Sequence, residues 1–459
     1  VDQGSPSETF PLTGRIGLVA LDERGVHHPR SSRGGGMTFT PYDEIVHLAA
    51  SARSLWIGAR RSVYVLARSS FVSEHAPDRL VRALLERIAA LPDGAARLER
   101  MAAMEERGRE PSPTPATWGL AGACLVVFAL QLLVGDAVYD VGFYSAPLVD
   151  GGDWWRLITA NLLHGYPRVP IHLGLNLLGL IALGTLIERP LGPVRTLLVM
   201  GASGLAAMFA SGLAGYPEVV GVSGVVFGLL GAITWLELRH GAELPAWWRV
   251  PRRALFVMLG LSVVLGVMVP VIAGAAHLGG LLAGGAVAAL CWRPGARGAS
   301  PWMRVAAGAV VGVTALAVVA AAADLGQPDE YPARLARRMA ELPGISPLVL
   351  NNRAWTIAVD PDSSPELLSA ALLMAERAVD ETDREEATVL DTLAEIQFQL
   401  GRDAEAVATI EEAILRDPDE RYYQEQRRRF LGERARDDRP PSPGFPEPEP
   451  EEEPAGISV

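Results

Sequence analysis

The 459-residue sequence predicts a mainly helical, polytopic membrane protein: a bundle of seven spans, preceded by a small α+β domain and followed by helical repeats. Three observations carry this. The stretch from about 116 to 323 is sparse in charge and divides into apolar runs of spanning length. Residues 14–72 are rich in alternating β-branched and aromatic positions. Residues 346–430 place apolar residues at helical spacing.

The first element is the sheet domain. RIGLVALDERG and SLWIGARRSVYVLARSSF read as short strands, and DRLVRALLERIAAL as one amphipathic helix after them. A small β-sandwich capped by one helix resembles a pleckstrin-homology-like domain. A sheet domain without a ligand fits the same residues equally well. VDQGSPSETF has neither a basic start nor an apolar core, so insertion is expected to use the internal spans.

The spans come next, at about 116–135, 169–187, 196–215, 221–237, 254–272, 274–292 and 304–323. The fifth and sixth share one uncharged run, which is expected to turn near Pro270 and Gly274 because it is twice one span's length. Arginines orient the bundle. The second loop holds Arg189 and Arg195, the fourth Arg239, Arg249, Arg252 and Arg253, and the sixth Arg293, Arg297 and Arg304. The first holds Arg156 and Arg168, while the third and fifth hold none. Even loops therefore read as cytoplasmic. The N-terminal region is then cytoplasmic, and an odd number of spans puts the C-terminal region outside, across a bacterial-type cell membrane; if the Ala- and Gly-rich seventh stretch does not span, the repeats lie in the cytoplasm instead.

After the spans, LNNRAWTIA, ELLSAALLMAERAVDE, ATVLDTLAEIQFQLGR and AEAVATIEEAILRDPD form two helix pairs. AERAVDETD and EEAILRDPD recur about 35 residues apart. The pattern resembles tetratricopeptide repeats, with small residues such as Ala378 and Ala413 between paired helices and flanking helices as caps. The Pro- and Glu-rich tail after Asp437 is expected to be disordered. The domains are thus expected at 1–110, 111–295 (six-span core), 296–326 (seventh span), 327–436 and 437–459.

Composition excludes several functions. The net charge of −12, drawn largely from the C-terminal region, argues against a nucleic-acid partner. Cys124 and Cys291 both sit in apolar segments, which supports neither a disulfide framework nor a cysteine-based zinc site. Apart from Glu237 at the inner end of the fourth run, no acidic residue lies inside a predicted span, and no inverted repeat is visible, which disfavours a transporter or channel.

Polar groups inside spans are costly and mark function by default. His172 and Asn176 lie in the second span, Ser223 in the fourth and His277 in the sixth. All three spans run inward from outside on the arginine count. His172, Ser223 and His277 each fall about three residues in, within ~5–10 Å of the outer boundary. Asn176 lies one turn deeper on the face of His172. Gly221-Val222-Ser223-Gly224 opens a helix, whose N-terminal N–H groups suit an oxyanion. Gly280 and Gly284 follow His277 on its own face and let the sixth helix approach the fourth, which a Ser–His hydrogen bond requires. Alone, a serine in a membrane helix usually bonds its own backbone. Four polar groups reaching one level from three helices point elsewhere. His27, His28, His47, His75 and His240 read as surface or structural.

These motifs resemble the rhomboid proteases over about residues 116–292: Gly-x-Ser-Gly on the fourth core span, His and spaced glycines on the sixth, and His-x-x-x-Asn on the second. Trp155-Arg156 and Glu188-Arg189 are similar to two further family elements. HGYPRVPIH, from His164 to His172, is longer than usual, which leaves the role of His164 open. The resemblance implies a Ser223–His277 dyad without an acid. It also implies an oxyanion site of His172, Asn176 and the Ser223 N–H, and Phe227 packed on the catalytic imidazole. It implies no metal or organic cofactor, membrane-protein substrates within the bilayer, and cleavage near the outer face. The repeats would offer a surface to a protein partner. A catalytically silent rhomboid-like adaptor that binds transmembrane clients is the alternative; the intact Ser–His pair speaks against it.

Overall fold

The computed structural model describes residues 8–13, 17–29, 36–165, 170–268, 273–293 and 298–441. They form two units, one of residues 1–132 and 157–319 and one of 133–156 and 320–459.

In the first unit, β1 (Glu8–Pro11), β2 (Leu18–Leu21), β3 (Gly25–Pro29) and β4 (Met37–Pro41) form an antiparallel sheet in chain order. β5 (Ile45–Ala50), β6 (Ser54–Ala59) and β7 (Ser62–Ala67) form a second. β5 alternates buried and half-buried residues, the signature of a strand with one face in a core. α1 (Ala76–Ala89) places Leu80, Leu84 and Ile88 on one stripe, fully buried in a core with Phe10, Val19, Leu55 and Ile57.

Beyond the one helix expected of this domain lies a second, α2 (Gly94–Arg109). Its apolar stripe is thin, with Met101 its one buried large side chain, so periodicity did not reveal it. Polar contacts hold it: Arg97 donates to the Asp43 carbonyl (2.7 Å), and Glu105 lies 3.3 Å from buried His47.

α3 (Pro115–Val134) is followed by three short helices, α4 (Asp136–Gly142), α5 (Ala146–Asp150) and α6 (Arg156–Thr159). Then come α7 (Ile171–Leu191), α8 (Pro193–Leu213), α9 (Ser223–His240), α10 (Arg252–Met268), α11 (Gly274–Cys291) and α12 (Pro301–Leu325). Among the described residues, seven long helices overlap the seven apolar runs. Among the described residues, α3, α7, α8, α11 and α12 are long and apolar enough to cross a membrane. α10 covers 17 residues, and α9 ends in polar Glu237, Arg239 and His240. The fifth and sixth runs are two helices, the second opening at Gly274; Pro270 lies outside the described residues.

α9 packs on α7, α8 and α11, with Leu229, Leu230, Ala232 and Ile233 buried. Large apolar side chains elsewhere stay exposed, including Leu175 and Leu178 of α7, Val257 and Leu261 of α10, and Val305 and Val319 of α12. Leaving such surface in water is unfavourable by roughly 25 cal/mol per Å², so it is surface for lipid. The chain is an integral, multi-pass membrane protein.

Two buried carboxylates fix helix ends. Glu188, at the foot of α7, accepts from the N–H groups of Ala116 and Thr117 (2.9 Å each) and from the Thr117 hydroxyl (2.6 Å). It caps the start of α3, where the helix dipole favours negative charge. Glu237, near the end of α9, takes a bidentate bond from Arg249 (2.7 and 3.0 Å), and both side chains are buried. Arg249 also donates to the Ala59 carbonyl at 2.6 Å, and the Ala246 N–H donates to His47 Nδ1 at 3.0 Å. The sheet domain is thus joined to the loop that follows the α9 helix.

The second unit holds α13 (Tyr331–Glu341), α14 (Pro347–Val359), α15 (Pro365–Glu381), α16 (Ala387–Gln399), α17 (Asp403–Arg416) and α18 (Arg421–Phe430); from α14 on each packs against the next, while α13 packs against α15. Ser346 and Ser364 cap α14 and α15, each followed by proline at the first helical position. Ala378 and Ala413 are fully buried. Of the tail after Asp437, residues 438–441 are described. Pro440 is buried, and Arg439 donates to Glu395 and reaches the Val359 carbonyl, because a buried carboxylate offers this arginine a partner. Residues 442–459 of the expected tail lie outside the described residues.

Candidate active site

The site begins at a turn only glycine takes easily. Gly221 has φ +115°, and the chain reverses there before Ser223 opens α9. The Gly221 N–H donates to the Ala160 carbonyl at 2.8 Å, and the Val222 N–H to His164 Nε2 at 3.4 Å. As the first helical residue, Ser223 has no acceptor for its N–H within the helix. Its hydroxyl and a free backbone donor therefore face the same space, at the positive end of the helix dipole.

His277 comes from the fourth position of α11, and its Nε2 lies 3.0 Å from Ser223 Oγ. Glycines make that approach possible. A Cβ on Gly280 would overlap the Gly224 carbonyl, and one on Gly284 the Gly228 carbonyl. α9 and α11 meet backbone to backbone. The Phe227 ring stacks on the His277 imidazole, with centroids 4.1 Å apart and an 18° interplanar angle. Among the described residues no carboxylate pairs with His277.

His172 and Asn176 come from the first and second turns of α7. A Cβ on Gly221 would lie 3.1 Å from His172 Nε2 and 3.9 Å from Asn176 Nδ2, so both side chains border the Gly221 turn. One Asn176 amide hydrogen goes to the His172 carbonyl (2.9 Å), leaving the other for a ligand. Ser223, His277, His172, Asn176, Gly221, Gly224 and Phe227 thus gather around the start of α9, and Gly280 and Gly284 line the α9–α11 contact below it.

Sequence reasoning missed other parts. His164, whose role stood open, is fully buried and supports the turn through Val222. Its Nδ1 lies 3.1 Å from the Leu162 carbonyl, so Nδ1 carries the proton and Nε2 accepts. Burial, with His172 adding to it, pushes its pKa down to about 4 and keeps the ring neutral. Gly228 was also missed, although a Cβ there would overlap Ser203 of α8. Its four-residue spacing from Gly224 was the available signal. The Ala160 carbonyl had none, because backbone partners leave no mark in side-chain pattern. Among the described residues no group of three or more His, Cys, Asp or Glu is placed to hold a metal.

Residues 151–294 match the profile described as the Rhomboid domain. The chain is 32% identical over 178 residues to the rhomboid protease GluP of Bacillus subtilis, covering 38% of this chain and 34% of GluP. It is 27% identical over 172 residues to the rhomboid protease GlpG of Haemophilus influenzae, covering 36% of this chain and 84% of GlpG. It is 31% identical over 146 residues to the rhomboid protein YdcA of Bacillus subtilis, covering 31% of this chain and 70% of YdcA. The chain spans about a third of GluP and half of RHOMBOID-like protein 5 of Arabidopsis thaliana. With GlpG and YdcA matched over most of their lengths, and with the Rhomboid domain matched around the serine and histidine, the chain belongs to the rhomboid family.

Proposed function

We propose that the chain is an intramembrane serine endopeptidase that cleaves transmembrane segments of membrane proteins near the outer face. The observation that carries this is the 3.0 Å contact between Ser223 Oγ and His277 Nε2 at the start of α9. In this reading His277 takes the hydroxyl proton as Ser223 attacks the scissile carbonyl. The tetrahedral oxyanion is held by the Ser223 N–H, His172 and Asn176. The imidazolium then protonates the departing amine, leaving an acyl-enzyme. Water, deprotonated by His277, releases the second product and restores Ser223. Phe227 keeps the imidazole in plane, and Gly221, Gly224, Gly280 and Gly284 keep the helices close. The chemistry needs no metal or organic cofactor.

The reading includes a topology of seven spans, with the sheet domain cytoplasmic and the helical domain outside. Two contacts support it. The sheet domain hydrogen-bonds the fourth loop, the most arginine-rich, through Ala59 and Arg249. The helical domain bonds the first loop through Asp140 and Arg353. A loop and the domain that grips it lie on one side of a bilayer. The helical domain, tetratricopeptide-like in its paired helices, would present a surface to a protein partner.

The test is incubation of the purified full chain in liposomes with a panel of single-span substrates, beside Ser223→Ala. Cleavage by the wild type alone supports the reading. Binding of those segments without cleavage, unchanged in Ser223→Ala, would make the chain a silent adaptor.

A further inference from the structure

The second unit contains an arginine whose every nitrogen is engaged. Arg156 is completely buried. Its Nε donates to Asp153 (2.9 Å), one terminal nitrogen to the carbonyls of Asp140 (2.8 Å) and Phe143 (2.9 Å), and the other to the Tyr331 hydroxyl (3.0 Å). Tyr331 opens the helical domain, 175 residues further along the chain. Two more arginines of that domain reach the same loop. Arg338 pairs with Asp153 at 2.7 Å and donates to the Gly151 carbonyl at 2.8 Å, and Arg353 pairs with Asp140 at 2.5 Å. Asp153, 1% exposed, is thereby shared between Arg156 and Arg338. A buried charge pair adds little net stability, but removing one partner strands the other and is strongly destabilising.

The loop so held leads to the nucleophile. Arg156 opens the one-turn helix α6, which ends one residue before Ala160. The Ala160 carbonyl receives the Gly221 N–H, and Gly221 is two residues from Ser223. We propose that the C-terminal helical domain is a positioning element for the protease. Through Tyr331, Arg338 and Arg353 it holds loop residues 140–156, and through the Ala160–Gly221 bond that loop holds the turn before Ser223. Tyr331, Arg338 and Arg353 are positioning residues. A partner that loosens their grip would lower catalysis without touching substrate. The inference rests on the protease reading.

The test uses the full chain in liposomes and the variants Tyr331→Phe, Arg353→Asp, Asp140→Arg and the combined charge swap. A misplacement of about 1 Å can lower a rate ~100-fold, so the single reversals should reduce kcat by about tenfold or more with KM nearly unchanged. Fluorophosphonate labelling of Ser223 should slow in parallel, and the combined swap should restore both. Tyr331→Phe, which keeps the ring and removes one acceptor, should show a smaller fall in kcat. Wild-type cleavage and labelling in both single reversals would overturn the proposal. So would a combined swap as impaired as either single variant, because the effect would then be general misfolding. Hydrogen exchange at Gly221–Gly224 separates this proposal from the protease reading. Faster exchange in Arg353→Asp supports the coupling even if the wild type cleaves nothing, and unchanged exchange overturns it.

Discussion

His277 Nε2 stands 3.0 Å from Ser223 Oγ across 54 residues of chain, and the separation is set by two glycines. Gly224 lies beside the serine and Gly280 three residues after the histidine, and the carbonyl of the first fills the space a side chain on the second would take. The dyad is therefore a property of helix contact as much as of the two side chains.

Ser223→Ala and His277→Ala should each abolish cleavage of a single-span substrate while leaving the protein folded. Fluorophosphonate probes should label the wild type and not Ser223→Ala. Undiminished turnover by either variant would refute the dyad.

Asn176→Ala and His172→Ala should retain weak activity. Removing one oxyanion donor lowers kcat by about 100–1,000-fold in serine hydrolases. Single-turnover rates would separate this from a packing role, since a wild-type rate in Asn176→Ala would remove that residue from the oxyanion site.

Gly280→Val should inactivate the protein by parting α9 from α11. Overpacking of this kind costs about 1–3 kcal/mol, which the fold can survive, but the Ser–His distance cannot be kept. The expected result is a folded protein with a lowered melting temperature and no fluorophosphonate labelling. Full labelling would show that the helices tolerate separation.

A pH effect belongs to the helical domain. Burial, with Glu395 adding to it, pushes the Asp391 pKa up to about 7; Tyr422, Gln426 and Arg429 are its other neighbours and oppose the shift. The folded form thus keeps a proton that the unfolded form, with the ordinary value of 3.8, has lost. The unfolded state binds fewer protons between those values, so this group's contribution to stability falls as pH rises from about 4 to about 7. Thermal melts of the full chain should show the slope, and Asp391→Asn should flatten it. A slope identical in the variant would assign the effect to another group.

Glu188→Ala should destabilise the bundle by about 2–4 kcal/mol, because it strands buried N–H groups at the start of α3. Denaturation in mild detergent would register the loss, and an unchanged midpoint would mean that water replaces the carboxylate.

The long apolar runs and the Ser, His and Asn at one depth were legible because each is a local pattern. Charge sparsity marks a span, and a polar residue inside it stands out. What joins distant segments was not legible. α2 went unrecognised because polar contacts such as Arg97 to the Asp43 carbonyl hold it, not an apolar stripe. Arg156 was visible beside Trp155, but nothing near it names Tyr331 as a partner. His164 stood open because its acceptor role depends on where Val222 turns.

The bond between Arg249 and the Ala59 carbonyl has a consequence for biosynthesis. The seven described strands have left the ribosome well before the first span emerges. Yet Ala59 must wait for a partner 190 residues behind it. At ~5–20 residues per second, that wait is roughly 10–40 s. Throughout it the newborn sheet domain carries an Ala59 carbonyl without its arginine and a His47 Nδ1 without the Ala246 N–H, although Glu105 already stands beside His47 Nε2. Arg249 seals that face only after the α9 helix has been made, so a domain synthesised ahead of every span is finished only when four of them are in place.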